Sequence, residues 1–338
     1  LYLEKFMTTQ SELTITEMMN LLRDGNNTES ERELMVKTCL HSPSKNIQKK
    51  GMEYLYIYGY LEELSILIER NIESVDPSNR LWGLIYRVML DQALRRDTPC
   101  ETIQKLEYFT KQYTTKEPEL LFLIEIIKEE SYHLTGEINR AGNLMVTCQQ
   151  YLLEIEERIM VSFFKVRINR MNMIYHLKRN ELIMARKYAY RSLTMTDSPR
   201  VHAIIHMYLG LSYTFETYEK GIYHLHKSLE ISKAINFHDM VHMLENNNIP
   251  FLSAHFKEVD NLKTTNIGEQ AHLELAKGNQ SKVIEMLDDL PDKSPFELYY
   301  LGKAKEDRSI LIKSHTDFIE KQSDYFFSRL PGNALKEL

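Results

Sequence analysis

Glycine and proline are scarce in this sequence, 12 and 9 in 338 residues, where average usage would supply roughly twice as many of each. With so few breakers, and a heavy load of Leu, Glu, Lys, Met and Tyr, the chain reads as all-helical. Cysteine is rare as well: Cys39, Cys100 and Cys148 are odd in number, far apart and form no CxxC pair. Such usage argues against a disulfide framework or a structural zinc site and suits a reducing cytoplasm. Positive charge is not in excess. The formal net charge is −6, so these residues alone make a poor DNA-binding surface. Long apolar runs are missing too. The most apolar stretch, "LLFLIEII" (Leu120–Ile127), is short and broken by Glu125, and no signal peptide opens the chain; nothing here reads as a membrane span. GxSxG, GxGxxG and a Walker loop are absent, Gly278–Lys282 having the wrong spacing for the last.

What is present is a pattern stated twice. "KYAYRSL" (Lys187–Leu193) falls on "YHLHKSL" (Tyr223–Leu229) at an offset of 36 residues, close to the roughly 34-residue period of tetratricopeptide repeats. Helical hairpins are expected to turn at Gly136, at Asn180, near Glu216–Tyr218 and at Gly278, with small Ala271 and Ala276 letting the last pair approach closely. Further helices are expected over "TITEMMNLLRD", capped by Thr14 or Thr16, over "RELMVKTCL", and on both sides of Gly59. "EINRAGNLMVTCQQYLLEIEER" reads as one helix. "MLENNNIPF" and "DLPDKSPFELYYLG" read as breaks in the stack, because three Asn and Pro250 do not suit a helix interior. The fold expected is all-α: a tetratricopeptide-like helical-hairpin solenoid, each unit burying its apolar face on the next. Inner helices of such solenoids line a concave groove that suits an extended peptide or a partner helix.

Three sets of polar residues are candidates for that groove. His202 and His206, like His238 and His242 a repeat later, stand at i, i+4 on one helical face. Zinc hydrolases use that spacing, but neither pair is followed by the catalytic Glu and no third ligand is placed. The simpler reading is a polar position that repeats with the hairpin; a middle reading turns His202 and His206 into the groove, with Leu209 beside them, and no metal or other cofactor is expected. In "SFFKVRINRMNMIYHL", Lys165, Asn169 and Asn172 make a polar stripe on an apolar helix, flanked by Arg167 and Arg170. A groove Asn donates and accepts at once and so pins a peptide backbone; the alternative is a solvent-facing stripe. Glu274 is an acidic candidate by its position on a repeat helix. The closing "DYFFSRLPGNALKEL" is too apolar to end in water. Phe327, Leu330, Leu335 and Leu338 there either cap the solenoid or join a symmetric copy.

Taken in order, "RELMVKTCL", "YLGLSYTFETYEK" and "SDYFFSRLP" resemble the AimR family of arbitrium receptors from temperate phages, within the wider group of peptide sensors that includes Rap, NprR, PlcR and PrgX. The resemblance runs over essentially the whole chain. It implies a cytoplasmic homodimer, not an enzyme, in which an N-terminal helix-turn-helix precedes the solenoid. A communication peptide of about six residues would enter the groove and switch off operator binding, tipping lysis toward lysogeny. On that reading residues 1–24 hold the end of the helix-turn-helix and a connecting helix, 25–318 the solenoid and 319–338 a capping and dimerising segment. The opening on Leu1 instead of Met fits residues missing upstream. The resemblance also carries peptide contacts onto Asn169, Arg191, Asp324 and Phe326, with Asp324 suited to a basic side chain and Arg191 to a carboxylate or carbonyl. Lys165 and His202 depart from the pattern, standing where Asn is expected. A Rap-like adaptor or phosphatase acting on a response regulator is the competing reading, and a zinc hydrolase built on His238 and His242 a third.

Overall fold

The computed structural model describes residues 13–22 and 28–338, and every regular element among them is helical. The expected helix tail at Leu1–Phe6 lies outside the described residues. Two compact units divide the chain, one up to Ile168 and one from Asn169 to Leu338.

The first unit holds α1 (Ile15–Leu22), α2 (Thr28–His41), α3 (Lys45–Tyr58), α4 (Leu61–Ile72), α5 (Pro77–Ala93), α6 (Pro99–Gln112), α7 (Pro118–Leu134), α8 (Ile138–Glu154) and the start of α9 (Arg158–Lys178). Local chemistry sets these bounds. Thr14 caps α1 in a reciprocal box, its Oγ1 accepting from Glu17 N–H while Glu17 accepts from Thr14 N–H; Thr16 lies inside the helix. Gly59 ends α3 at φ 89°, a left-handed turn glycine adopts without strain. The single helix expected through Arg158 is in fact two, since Ile155–Glu157 are not helical. The break frees Glu157 to accept from the backbone N–H and hydroxyl of Thr16 and to meet Lys50. The core stacks Phe122 on Phe164 at 4.1 Å. Inside it, fully buried Arg167 donates to both Glu53 carboxylate oxygens at 2.7 and 2.8 Å.

In the second unit hairpins follow one another: the rest of α9 with α10 (Leu182–Met195), where the His176 ring stacks on Tyr188, α11 (Pro199–Ser212) with α12 (Tyr218–Ala234), α15 (Ile267–Ala276) with α16 (Gln280–Leu287), and α17 (Pro295–Lys305) with α18 (Arg308–Gln322). The turns fall at Asn180 (φ 61°), after Ser212 and at Gly278 (φ 84°). The two 36-spaced serines are equivalent in burial, Ser192 and Ser228 both lying wholly inside. Close approach in the second hairpin rests on glycine: a Cβ at Gly210 would stand 2.7 Å from Leu225 carbons and 2.9 Å from the Gly221 carbonyl. Gly210→Ala is expected to destabilise by about 2 kcal/mol through overpacking, read as a lower urea midpoint. An unchanged midpoint would show that the two helices can separate at no cost.

One expected break is not a break. Between α13 (His238–Met243) and α14 (Ile249–His255) the chain widens into a π-turn, Leu244–Asn248, closed by Ile249 N–H donating to the Leu244 carbonyl. The wide turn lets helix continue through three asparagines into Pro250, whose missing N–H falls in the first turn of α14. The second expected break is real: α16 ends at Leu287, and Ser294 with Glu297 forms the capping box that restarts helix as α17. The last helix, α19 (Arg329–Glu337), packs on α17 and α18.

Candidate functional site

The described polar cluster of the second unit begins at the boundary within α9. Asn169 and Asn172 are buried, while Lys165, in the first unit, is exposed. The expected stripe therefore splits. Asn169 Nδ2 points at Met195 Sδ, 3.1 Å away at the end of α10. Arg191, on α10, is exposed. The two histidines of α11 also part: His202 Nε2 meets the Thr196 carbonyl of its own preceding loop at 2.7 Å, whereas His206 Nδ1 faces His224 Nδ1 of α12 at 2.9 Å. Burial first, then His224, His202 and Lys227, pushes the His206 pKa down to about 4. His224 is lowered by burial and by Arg186. Both rings are thus neutral near pH 7, one donating and the other accepting. Leu209 lies in the core. Glu274 turns to its own hairpin, accepting from Asn279 at 2.7 Å and Lys277 at 3.1 Å.

The C-terminal segment closes onto α9. Tyr325 and Phe326 donate their N–H groups to the Lys178 carbonyl. Asp324 Oδ1 accepts from Phe327 N–H at 2.8 Å. Burial pushes the Asp324 pKa up to about 6, against the Phe327 and Phe326 N–H groups and the charge of Lys178. Lys178 is itself lowered by burial. Phe326 is fully buried among Leu177, Ala185, Phe215 and Phe327. Leu330 is in the core, Phe327 and Leu335 pack against it, and Leu338 is half exposed.

Two half-open pockets lie in this unit. One of about 250 Å³ is lined by His255, Lys257, His272, Lys303 and Asn333 among others. Burial, then His272 and Lys303, lowers the His255 pKa to about 4. The other, about 340 Å³, has an aromatic floor of Phe251, Phe296 and Phe327 and polar walls from Asn247, Asn248, Asn266, Glu269 and Glu297. Its helical lining comes from α11, the π-turn, α14, α15 and α17, with none from α12, α16 or α18. First helices of successive hairpins are those that face inward in a hairpin solenoid.

Residues 31–337 match the protein family described as AimR transcriptional regulator-like. The chain belongs to that family. The AimR transcriptional regulator of Bacillus phage SPbeta is 25% identical over 326 residues, 91% of this chain and 81% of that protein. A solved structure of phAimR with ligand is similar with a TM-score of 0.83 at 20% identity, covering 96% of this chain and 97% of the other. A selenomethionine phAimR structure has a TM-score of 0.68 at 19% identity, covering 99% and 92%. This AimR-like chain is therefore a member of a family of regulators, not of enzymes, with the paired all-α architecture expected of it. No described helix is long and apolar enough to cross a membrane, and no group of three metal-ligating side chains stands together among the described residues. The cavity residues Asn248 and Glu269 were not among those read from sequence. Their one signal was the Asn-rich run before Ile249-Pro250, which reads as a break because its π-turn has no sequence rule.

Proposed function

We propose that this AimR-like regulator is a peptide receptor of the arbitrium kind. A peptide of about six residues enters the groove of the second unit, and its binding switches off operator recognition by a homodimer that reads DNA through an N-terminal helix-turn-helix. The lysis–lysogeny decision of a phage in its bacterial host, in the cytoplasm, is then the output. The observation that carries this reading is the 340 Å³ cavity, walled by amide and carboxylate side chains over aromatic rings, in a chain of the AimR family. The ligand-bound phAimR neighbour supports it. Asn169, Arg191, Asp324 and Phe326 remain the peptide contacts proposed from the resemblance, with Lys165, Asn172, His202, His206, Leu209 and Glu274 as further candidates. Leu338 is the exposed member of the proposed dimer contact, alongside Phe327, Leu330 and Leu335.

A thermal-shift screen against synthetic hexapeptides tests this. A ligand at about 100 times its Kd stabilises the fold by roughly 2.7 kcal/mol, and Asn169→Ala is expected to remove the shift. If no hexapeptide moves the melting temperature, the receptor reading fails and the search turns to protein partners of a Rap-like adaptor. Sedimentation with and without the active peptide then separates two modes of switching: an unchanged mass excludes dimer dissociation and favours a locked dimer of altered half-site spacing.

A further inference from the structure

The smaller pocket shares no lining residue with the larger one, and none of the residues proposed above as peptide contacts lines it. It gathers positive charge and imidazole. Lys257, Lys303, His255 and His272 line its 250 Å³ against a single carboxylate, Glu337. Neither lysine has a strong partner. Lys303 Nζ stands 3.6 Å from Glu337 Oε2, and the Glu337 side chain is 69% exposed, so water screens that pair. Lys257 has no ion pair among the described residues. Lysines at helix ends commonly serve the free carbonyls there. Here the last turns of α14, α15 and α17 close on backbone N–H groups instead, Lys257 donating to Ala254, Gly278 to Leu275 and Glu306 to Lys303. The ammonium groups are not needed for that purpose.

His272 adds a buried donor, at 4% exposure. Its Nδ1 has no hydrogen bond and stands 3.4 Å from Glu269 Oε2. Nε2, at the other edge of the ring, is the nitrogen that can donate to a molecule in the pocket. A buried polar atom without a partner is costly. Repulsion within the cluster also registers on the neighbouring ring: after burial, His272 and Lys303 are what hold the His255 pKa down at about 4. Negative charge placed among these groups relieves that repulsion.

We infer that this pocket binds the anionic oxygen group, phosphate or carboxylate, of a small molecule that is not the signal peptide. Lys257 and Lys303 meet its charge, His272 donates to it, and Leu275 and Leu330 cover its apolar part. The regulator then carries a second ligand site beside the one proposed for the peptide.

The test uses the 338-residue chain and three probes at constant ionic strength: phenyl phosphate, benzoate and the neutral benzyl alcohol. Binding is read by isothermal titration calorimetry. The inference expects the anions to bind and the alcohol not to, and the tighter of the two anions names the group. Lys257→Gln and Lys303→Gln are each expected to weaken that anion roughly fivefold. His272→Phe keeps a ring to stack on Tyr300, 4.2 Å away, and is expected to weaken it similarly by removing the donor. Glu337→Gln takes away the one carboxylate of the lining and is expected to tighten binding about two- to fivefold, a gain that misfolding cannot mimic. If neither anion binds at millimolar concentration, if the alcohol binds as well as they do, if both lysine variants match the parent, or if Glu337→Gln gains nothing, the inference is wrong. The receptor reading stands apart from every one of these results, because no probe is a peptide.

Discussion

Arg167→Ala is expected to cost about 3–5 kcal/mol of stability, because it strands the Glu53 carboxylate inside the first unit. Both partners are essentially inaccessible to solvent, at 1% and 0% side-chain exposure. Glu53 holds three close donors: the two guanidinium nitrogens and the Tyr86 hydroxyl at 2.7 Å. The guanidinium also stands 4.4 Å from the centre of the Tyr56 ring. Taking charges from water is expensive, and only their mutual attraction and full hydrogen bonding offset it. Removing one partner leaves the expense without the offset. The pair as a whole is a different matter: Glu53→Leu with Arg167→Met, of similar volume, is expected to cost less than the single change, about 1–3 kcal/mol, for the buried Tyr86 hydroxyl that loses its acceptor. Urea unfolding of the single and double variants checks both. A single variant within 1 kcal/mol of the parent, or a double as unstable as the single, would show that the pair's worth lies elsewhere.

Asp324→Asn is expected to make the chain more stable at pH 7, by an amount on the order of 2–3 kcal/mol. In the folded chain this carboxyl titrates at about 6, against an ordinary value of 3.8. Between those values the unfolded chain has given up a proton that the folded chain retains. Stability therefore falls as pH rises from about 4 to about 6, and the loss is complete above the folded pKa. Asparagine keeps the oxygen that accepts from Phe327 N–H and never carries the charge, so its unfolding free energy should be flatter over that window. Melting curves from pH 4 to 7 for parent and variant decide it. A variant that is weaker at pH 7, beside a parent whose stability rises instead of falls from pH 4 to 6, would mean that attraction to Lys178 outweighs burial. The position matters to the proposed function, since Asp324 precedes the Tyr325 and Phe326 N–H groups that bond the end of α9 and is also a proposed peptide contact.

Much of this was legible in the residues because helices are local objects. The i, i+3, i+4 apolar spacing, Thr14 with Glu17, Gly59 and Gly278 each act over one turn of chain, so their signals are read without knowing what lies across the fold. The 36-residue echo carried the hairpin architecture for the same reason. The site is different. His202 and His206 share a face by spacing, but the hairpin crossing sends one to its own loop and the other to His224. Arg167 read as flanking polarity on α9, yet its partner is 114 positions away. Lys165 and Asn169 sit one turn apart, but one is exposed and the other buried. Glu269 and Asn248 stand on separate elements, and a π-turn that propensity reads as a break brings them to one cavity. What the sequence by itself determined is helix, turn, repeat and family. The tertiary structure alone decided which polar atoms meet and which are left without partners, because burial and pairing depend on how helices cross and not on the order in which they are written.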